Sequence, residues 1–342
     1  MLLRSSSCLL ILAAALTASL QLPPSMSPPP SVTITVDELK EILKNDPSSI
    51  KLLDASWKQI GEPIPWKEFR EKYYGKFEEV MELKKNPDFE KDHIHGARHF
   101  SLDAASFLGE FQKASLYPPA EFAAYPQILG LSKDDVIVVY GRGGYSGMLF
   151  ASRAWFLLKY YGAKHVRVLE GGLEHWKATG GETTGEETPA PAARGTWQAL
   201  PVDSSRLLTF EELENATSPI NFDHLENANF LDARPAGQFN GSEPLAFDPN
   251  GAPGYHLAGS KSVPIPDVLA EDGKGLKTGE EIRKALAADG FKEGAPTATS
   301  CNAGTQASLL ALALAKAGIH ASMFNGSLTE VSRRSPERIN GI

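Results

Sequence analysis

The chain repeats a series of short motifs in the same order on either side of one low-complexity run, and this repetition limits the folds open to it. The first half carries Val36-Asp37-Glu38-Leu39, then Leu52-Leu53-Asp54-Ala55-Ser56, His93 to Ala97, the passage Asp135 to Gly144, and Val168 to Gly172. Their echoes in the second half are Thr209-Phe210-Glu211-Glu212-Leu213, Phe230-Leu231-Asp232-Ala233-Arg234, His256 to Ser260, Thr297 to Gly304, and Ser322 to Ser327. Between them, the Gly, Thr, Glu, Pro and Ala-rich run from Gly180 to Gly195 packs no core and reads as an interdomain linker. Short β-compatible runs alternate with helical patterns in each half, which implies parallel βαβ units with right-handed crossovers. At 342 residues the chain has room for two cores. The expectation is an α/β protein with two tandem copies of one domain, each a parallel sheet flanked by helices. They occupy residues 32–180 and 206–342, joined by a linker over 181–205.

Several local readings follow. Val36 to Leu43 has a capped amphipathic helical pattern, Asp135 to Tyr140 reads as a strand, Ser146 to Tyr161 as a helix, and Val166 to Leu169 as a strand. The charged stretch Lys67 to Lys91 reads as a solvated helix with loops. Trp57 and Trp176 are expected to be core anchors.

The two halves differ where chemistry is concerned. Thr297 to Ser300 is a strand-like run that delivers Cys301 to a tight turn, and Ser308 to Ala315 can only sensibly be a helix. The first half has Gly141 at the corresponding point, so only the second half can do thiol chemistry. A strand–loop–helix junction directs several backbone N–H groups and the positive end of a helix dipole into one bowl. A thiol there is pushed toward the thiolate that attacks, and Gly304 lets the loop take a conformation that other residues resist. The bland alternative is a small buried hydrophobe.

Only Cys8 and Cys301 are present. Cys8 lies in an N-terminal segment with one basic residue, a short apolar run and then small residues, the pattern of a secretory signal peptide over 1–19. A mitochondrial presequence is the alternative, since no acidic residue precedes Asp37. Residues 20–31 read as a Pro/Ser-rich disordered spacer. Removal of the leader leaves Cys301 as the sole thiol, with no internal disulfide possible, in a secreted or, on the alternative, mitochondrial protein. The net charge of −8, with no concentrated basic stripe, argues against a nucleic-acid partner. No membrane partner is expected after cleavage, and no His/Cys cluster has zinc-ligand spacing. The sequons at Asn215, Asn240 and Asn325 matter only if the chain is secreted.

Taken together, Asp54-Ala55-Ser56-Trp57, His93 to Ala97, Leu169-Glu170-Gly171-Gly172, Asp232-Ala233-Arg234 with Phe239 and Gly241, His256 to Gly259 and the Cys301 loop resemble the tandem-domain rhodanese family. That family comprises thiosulfate and 3-mercaptopyruvate sulfurtransferases, and the resemblance runs from about residue 32 almost to the C-terminus. It implies an N-terminal rhodanese domain without the cysteine and a C-terminal domain that carries it. It also implies a two-step transfer: Cys301 takes a sulfane sulfur from a small donor, becomes a persulfide, and yields the sulfur to cyanide or a thiol. No metal or organic cofactor is implied.

The family loop is a Cys, two variable residues, Gly, usually Val-Thr, then Ala. Cys301, Gly304 and Ala307 match, whereas Thr305-Gln306 replaces the Val-Thr. Thiosulfate enzymes carry cations just after the cysteine and mercaptopyruvate enzymes a Gly-Ser pair; this chain has Asn302 and Ala303. A donor-facing arginine of the family falls on Gln238, and a second, for the mercaptopyruvate carboxylate, on Phe247. Each charge-assisted hydrogen bond lost in this way weakens an anionic donor by about 1.5–3 kcal/mol. Arg234 is a candidate for the anion, but as a strand-end arginine near several acids it reads first as a structural ion-pair partner. Asp103 matches an aspartate near the family's active site, with a solvated loop residue as the alternative. His93 and His256 read as turn residues. Two classes of function stand: an active sulfurtransferase, and a secreted binding or scaffold protein that kept the fold and lost turnover. Against a third reading, a cysteine phosphatase of rhodanese-like fold, Asn302 to Ala307 holds no phosphate-clamping arginine.

Overall fold

The capping box recurs at the start of each half. Thr35 Oγ1 accepts from the Glu38 N–H at 3.2 Å while the Glu38 carboxylate accepts from the Thr35 N–H at 2.9 Å; Thr209 and Glu212 do the same at 3.2 and 2.8 Å. The computed structural model describes residues 31–244 and 255–339. The leader, all of the spacer but Ser31, and Phe247 lie outside these residues.

Twelve strands follow one another: β1 Thr33–Ile34, β2 Lys51–Asp54, β3 His93–Ile94, β4 Arg98–His99, β5 Val136–Tyr140, β6 His165–Leu169, β7 Thr183–Thr184, β8 Leu207–Leu208, β9 Asn229–Asp232, β10 Lys261–Ser262, β11 Thr297–Ser300 and β12 Ser322–Phe324. One five-stranded sheet runs β1-β6-β5-β2-β4 and the other β8-β12-β11-β9-β10, all parallel. The two orders are the same order, strand for strand. Register repeats too, with Asp54 opposite Tyr140 in one sheet and Asp232 opposite Ser300 in the other. Cys301 leaves β11 where Gly141 leaves β5.

The helices after those two strands, Met148–Tyr160 and Thr305–Lys316, pack against each other. Neither has a polar face: Ala154 to Leu158 and Ala307 to Leu314 are all buried. A helix apolar all round must be covered all round, and each covers the other while backing its own sheet. One continuous core therefore runs from Leu53 and Val139 through Trp155 and Leu310 to Leu231 and Met323.

Three local expectations change. The first of these helices begins at Met148, because Tyr145, Ser146 and Gly147 all hold positive φ (52°, 57° and 70°) and form a left-handed turn instead of a first helical turn. Lys67 to Lys91 is divided by turns into three short helices, Trp66–Lys72, Phe77–Leu83 and Pro87–Lys91, that keep charges outward while burying Phe69, Phe77 and Val80. The stretch read as a core-free linker is strapped along the first half. β7 pairs antiparallel with β3, the Thr188 hydroxyl donates to the Ala97 carbonyl at 2.8 Å, and Trp197 is buried in the core. Among the described residues no helix is long and apolar enough to cross a membrane.

Candidate active site

Two strand ends and one helix start build the Cys301 loop. The N–H groups of Leu328 and Thr329, in the first turn of the Ser327–Arg334 helix, would be orphaned by helix geometry; they donate instead to the carbonyls of Cys301 and Asn302 at 3.1 and 3.0 Å. The Cys301 N–H donates to Ser327 Oγ at 3.1 Å, and that hydroxyl donates to the Phe324 carbonyl at 2.8 Å. With its carbonyls held on one side, the loop turns at Gly304, where φ is +89°. The Gly304 N–H then donates to Cys301 Sγ at 3.1 Å. Among the described residues one amide, not several, is at hydrogen-bond distance from the sulfur. Gly304 also starts the 12-residue Thr305–Lys316 helix, whose positive end faces the same place. The cysteine is 1% exposed and part of the apolar core. It is thus both buried and gripped by an amide, which joins the two readings that the sequence kept apart.

A cavity of about 540 Å³ reaches this loop at Ala303 and Thr305. Most of its wall comes from the cysteine-free half, including Trp57, Asp103, Lys113, Phe150 and Arg153. A larger groove of about 720 Å³, by Phe111 and Phe210, touches none of residues 301–307, so of the two only the smaller cavity meets the cysteine-bearing loop. Trp57 is not a core anchor. It is 38% exposed, lies 5.4 Å from the Phe150 ring, and donates its indole N–H to Asp103 Oδ2 at 3.0 Å. Burial pushes the Asp103 carboxyl above its ordinary value, and the Trp57 hydrogen bond opposes this. Asp103 is therefore a wall of the cavity, not a solvated loop residue.

The other candidates take definite places. Gln238 Oε1 accepts from Asn302 Nδ2 at 2.9 Å, so two neutral amides close on each other beside the cysteine. Arg234 does not reach the cavity: it is 0% exposed, grips Asp232 with Nε and Nη2 at 2.7–3.0 Å, and donates to the Tyr255 carbonyl. The first half neutralises its equivalent Asp54 with Arg142 at 2.9 Å, from the loop position matching Asn302. His93 and His256 each stack on a phenylalanine, Phe89 and Phe239, and bond its carbonyl through Nδ1 at 2.8 Å. Of the sequons, Asn325 is buried and bonded to Arg153, which leaves no room for a glycan there.

Sequence reasoning missed Arg153, Lys113 and Arg333, which lines the same cavity. For Arg153 a signal existed: a single cation in the middle of a helix with no other polar residue than Ser152 between Met148 and Leu158.

The first half, residues 35–179, matches the family model described as a rhodanese-like domain. A putative thiosulfate sulfurtransferase of Caenorhabditis elegans is 34% identical over 319 residues, covering 90% of this chain and 96% of that one. The thiosulfate sulfurtransferase of Gallus gallus is 30% identical over 291 residues, covering 84% and 88%. Among solved structures, the Tum1 protein of Saccharomyces cerevisiae superposes with a TM-score of 0.70 at 20% identity, covering 90% of this chain and 97% of that one. SseA of Escherichia coli, described as a 3-mercaptopyruvate sulfurtransferase of rhodanese fold, gives 0.64 at 24% identity, covering 87% and 98%. A shared strand order in two sheets, a cysteine at the end of the second sheet's central strand and relatives aligned across both halves lead to one conclusion: this chain is a member of the tandem-domain rhodanese family of sulfurtransferases.

Proposed function

We propose that Cys301 carries the sulfur in transit, from a small anionic donor of thiosulfate or 3-mercaptopyruvate type to a thiophilic acceptor such as cyanide or a thiol. The thiolate attacks the donor's outer sulfur. With thiosulfate, the S–S bond breaks and its electron pair leaves on sulfite; with mercaptopyruvate, the C–S bond breaks and the pair, with a proton, stays on pyruvate. The acceptor then attacks the terminal persulfide sulfur, and Sγ regains its thiolate pair. The observation that carries this reading is the Gly304 N–H on Sγ at the head of a buried helix, a fixed donor for the thiolate that attacks the donor and is regenerated when the acceptor takes the sulfur.

The decisive measurement is thiocyanate formation from cyanide with each donor, with Cys301→Ser as control. Intact mass analysis should show the cysteine-bearing peptide gaining one sulfur atom. If neither donor at millimolar concentration gives turnover that depends on Cys301, the scaffold reading replaces this one; the near-complete burial of Cys301 and the neutral Asn302–Gln238 pair speak for it. We further propose that the leader directs the chain to the secretory pathway, which N-terminal sequencing of the mature protein from its source distinguishes from mitochondrial import.

A further inference from the structure

The Cys301 loop has no cation of its own, yet a buried one stands against it from the other half. Arg153 lies midway along the Met148–Tyr160 helix and is 3% exposed. Its Nη2 donates to Asn325 Oδ1 at 2.8 Å and to the Ala114 carbonyl at 3.2 Å, both neutral acceptors. Its Nη1 has no partner among the described residues. That free end abuts Gly304, since a methyl built on Gly304 would come within 3.1 Å of Nη1. Gly304 is the residue whose amide holds the sulfur. Leaving a buried charge unpaired carries a large desolvation cost, so a fold that keeps one has an opposite charge for it.

We infer that Arg153 is the counter-charge of the Cys301 sulfur, a guanidinium lent across the interface by the half without a cysteine to hold the thiolate and then the persulfide anion. This rests on Cys301 being the sulfur carrier. Burial draws the Arg153 guanidinium down to about 10, still protonated at neutral pH, and the Cys301 charge acts against that fall. Other charges near the loop are already occupied. Asp232, opposite Ser300, is held by Arg234 at 2.7 Å. Glu330, on the helix that pins the loop, is held by Arg334 at 3.0 Å and Gln112 at 2.8 Å. Asp103 takes the Trp57 indole, and the Tyr145 hydroxyl meets the Gln306 amide. Lys84, Lys113 and Arg333 lie on the cavity wall, with Lys84 donating to the Ile60 carbonyl and Arg333 to that of Glu110. Among the described residues Arg153 differs from Arg234 and Arg334 in having no carboxylate. The charge missing after Cys301 in the sequence is thus supplied from behind the loop.

The test is a titration of thiolate absorbance in the ultraviolet on the full chain, with the curve of Cys301→Ser subtracted, which reads this sulfur whether or not any donor is turned over. Arg153→Gln should move the midpoint up by about one pH unit or more, the usual effect of removing a close opposite charge. Arg153→Lys should move it far less. Asn325→Asp keeps the guanidinium but places a carboxylate on Nη2, so it should also raise the midpoint. An unchanged midpoint in Asn325→Asp and in Arg153→Gln, each folded by circular dichroism, overturns the inference, and so does a lysine variant shifted as far as the glutamine one. If Arg153→Gln does not fold, Asn325→Asp decides. Shifts as expected in a protein that takes up no sulfur would defeat the functional reading and leave this one standing.

Discussion

Gly304→Ala tests the local geometry on which the sulfur depends. The glycine sits at φ +89°, where an L-residue loses about 1–2 kcal/mol. The new methyl would also lie 2.8 Å from the Asn325 carbonyl oxygen and 3.1 Å from Arg153 Nη1, so the turn has to shift. Forcing a group into a packed site costs about 1–3 kcal/mol more. The sum, roughly 2–5 kcal/mol, is a large part of the about 5–15 kcal/mol that holds a protein folded. Gly290 is the control: its φ is +75°, but nothing lies within 4 Å of an added methyl, so Gly290→Ala carries the backbone cost alone. Urea unfolding of both variants separates the two costs. Thiocyanate formation reads the chemistry, and displacement of the Gly304 N–H should lower its rate about 10²–10³-fold, as for other preorganised donors to a developing anion. A Gly304→Ala protein no less stable than Gly290→Ala, and turning over at the parent rate, would refute the argument that this turn is built around the sulfur.

Other outcomes follow from neighbouring contacts. Ser327→Ala removes the acceptor of the buried Cys301 N–H; the loss should be about 1–3 kcal/mol in urea unfolding, and a smaller one would mean that the Leu328 and Thr329 amides hold the loop unaided. Asp103 should leave a mark on the pH dependence of stability. Its carboxyl is raised by burial in the folded state, so the native protein binds that proton more tightly than the unfolded chain does. The stability it contributes is present at low pH and is lost as pH rises from the ordinary value of 3.8 through the folded midpoint. Asp103→Asn should flatten the fall in thermal midpoint across that mildly acidic window, and an identical pH profile in the variant would count against the assignment.

Much of the architecture was readable because its signals are local. Thr35 with Glu38 and Thr209 with Glu212 mark helix starts within four residues, and the Leu52 to Asp54 and Phe230 to Asp232 runs mark strands within three. Their recurrence in the same order was enough to expect two parallel sheets. A cysteine before a glycine-containing turn and an Ala/Leu helix was enough to expect an amide-held thiol, although one amide serves where several were expected.

What the linear pattern could not decide was which groups distant in the chain meet. Arg142 and Arg234 answer equivalent aspartates from non-equivalent positions. Trp57 left the expected core for the cavity, Thr183 folded back onto Ile94, and Arg153 came to stand behind Gly304. Periodicity and capping depend on neighbours a few residues apart, so the chain itself specifies them. The charge around one sulfur depends on how two apolar helices from distant parts of the chain come to lie together, and that is settled only when their common core closes.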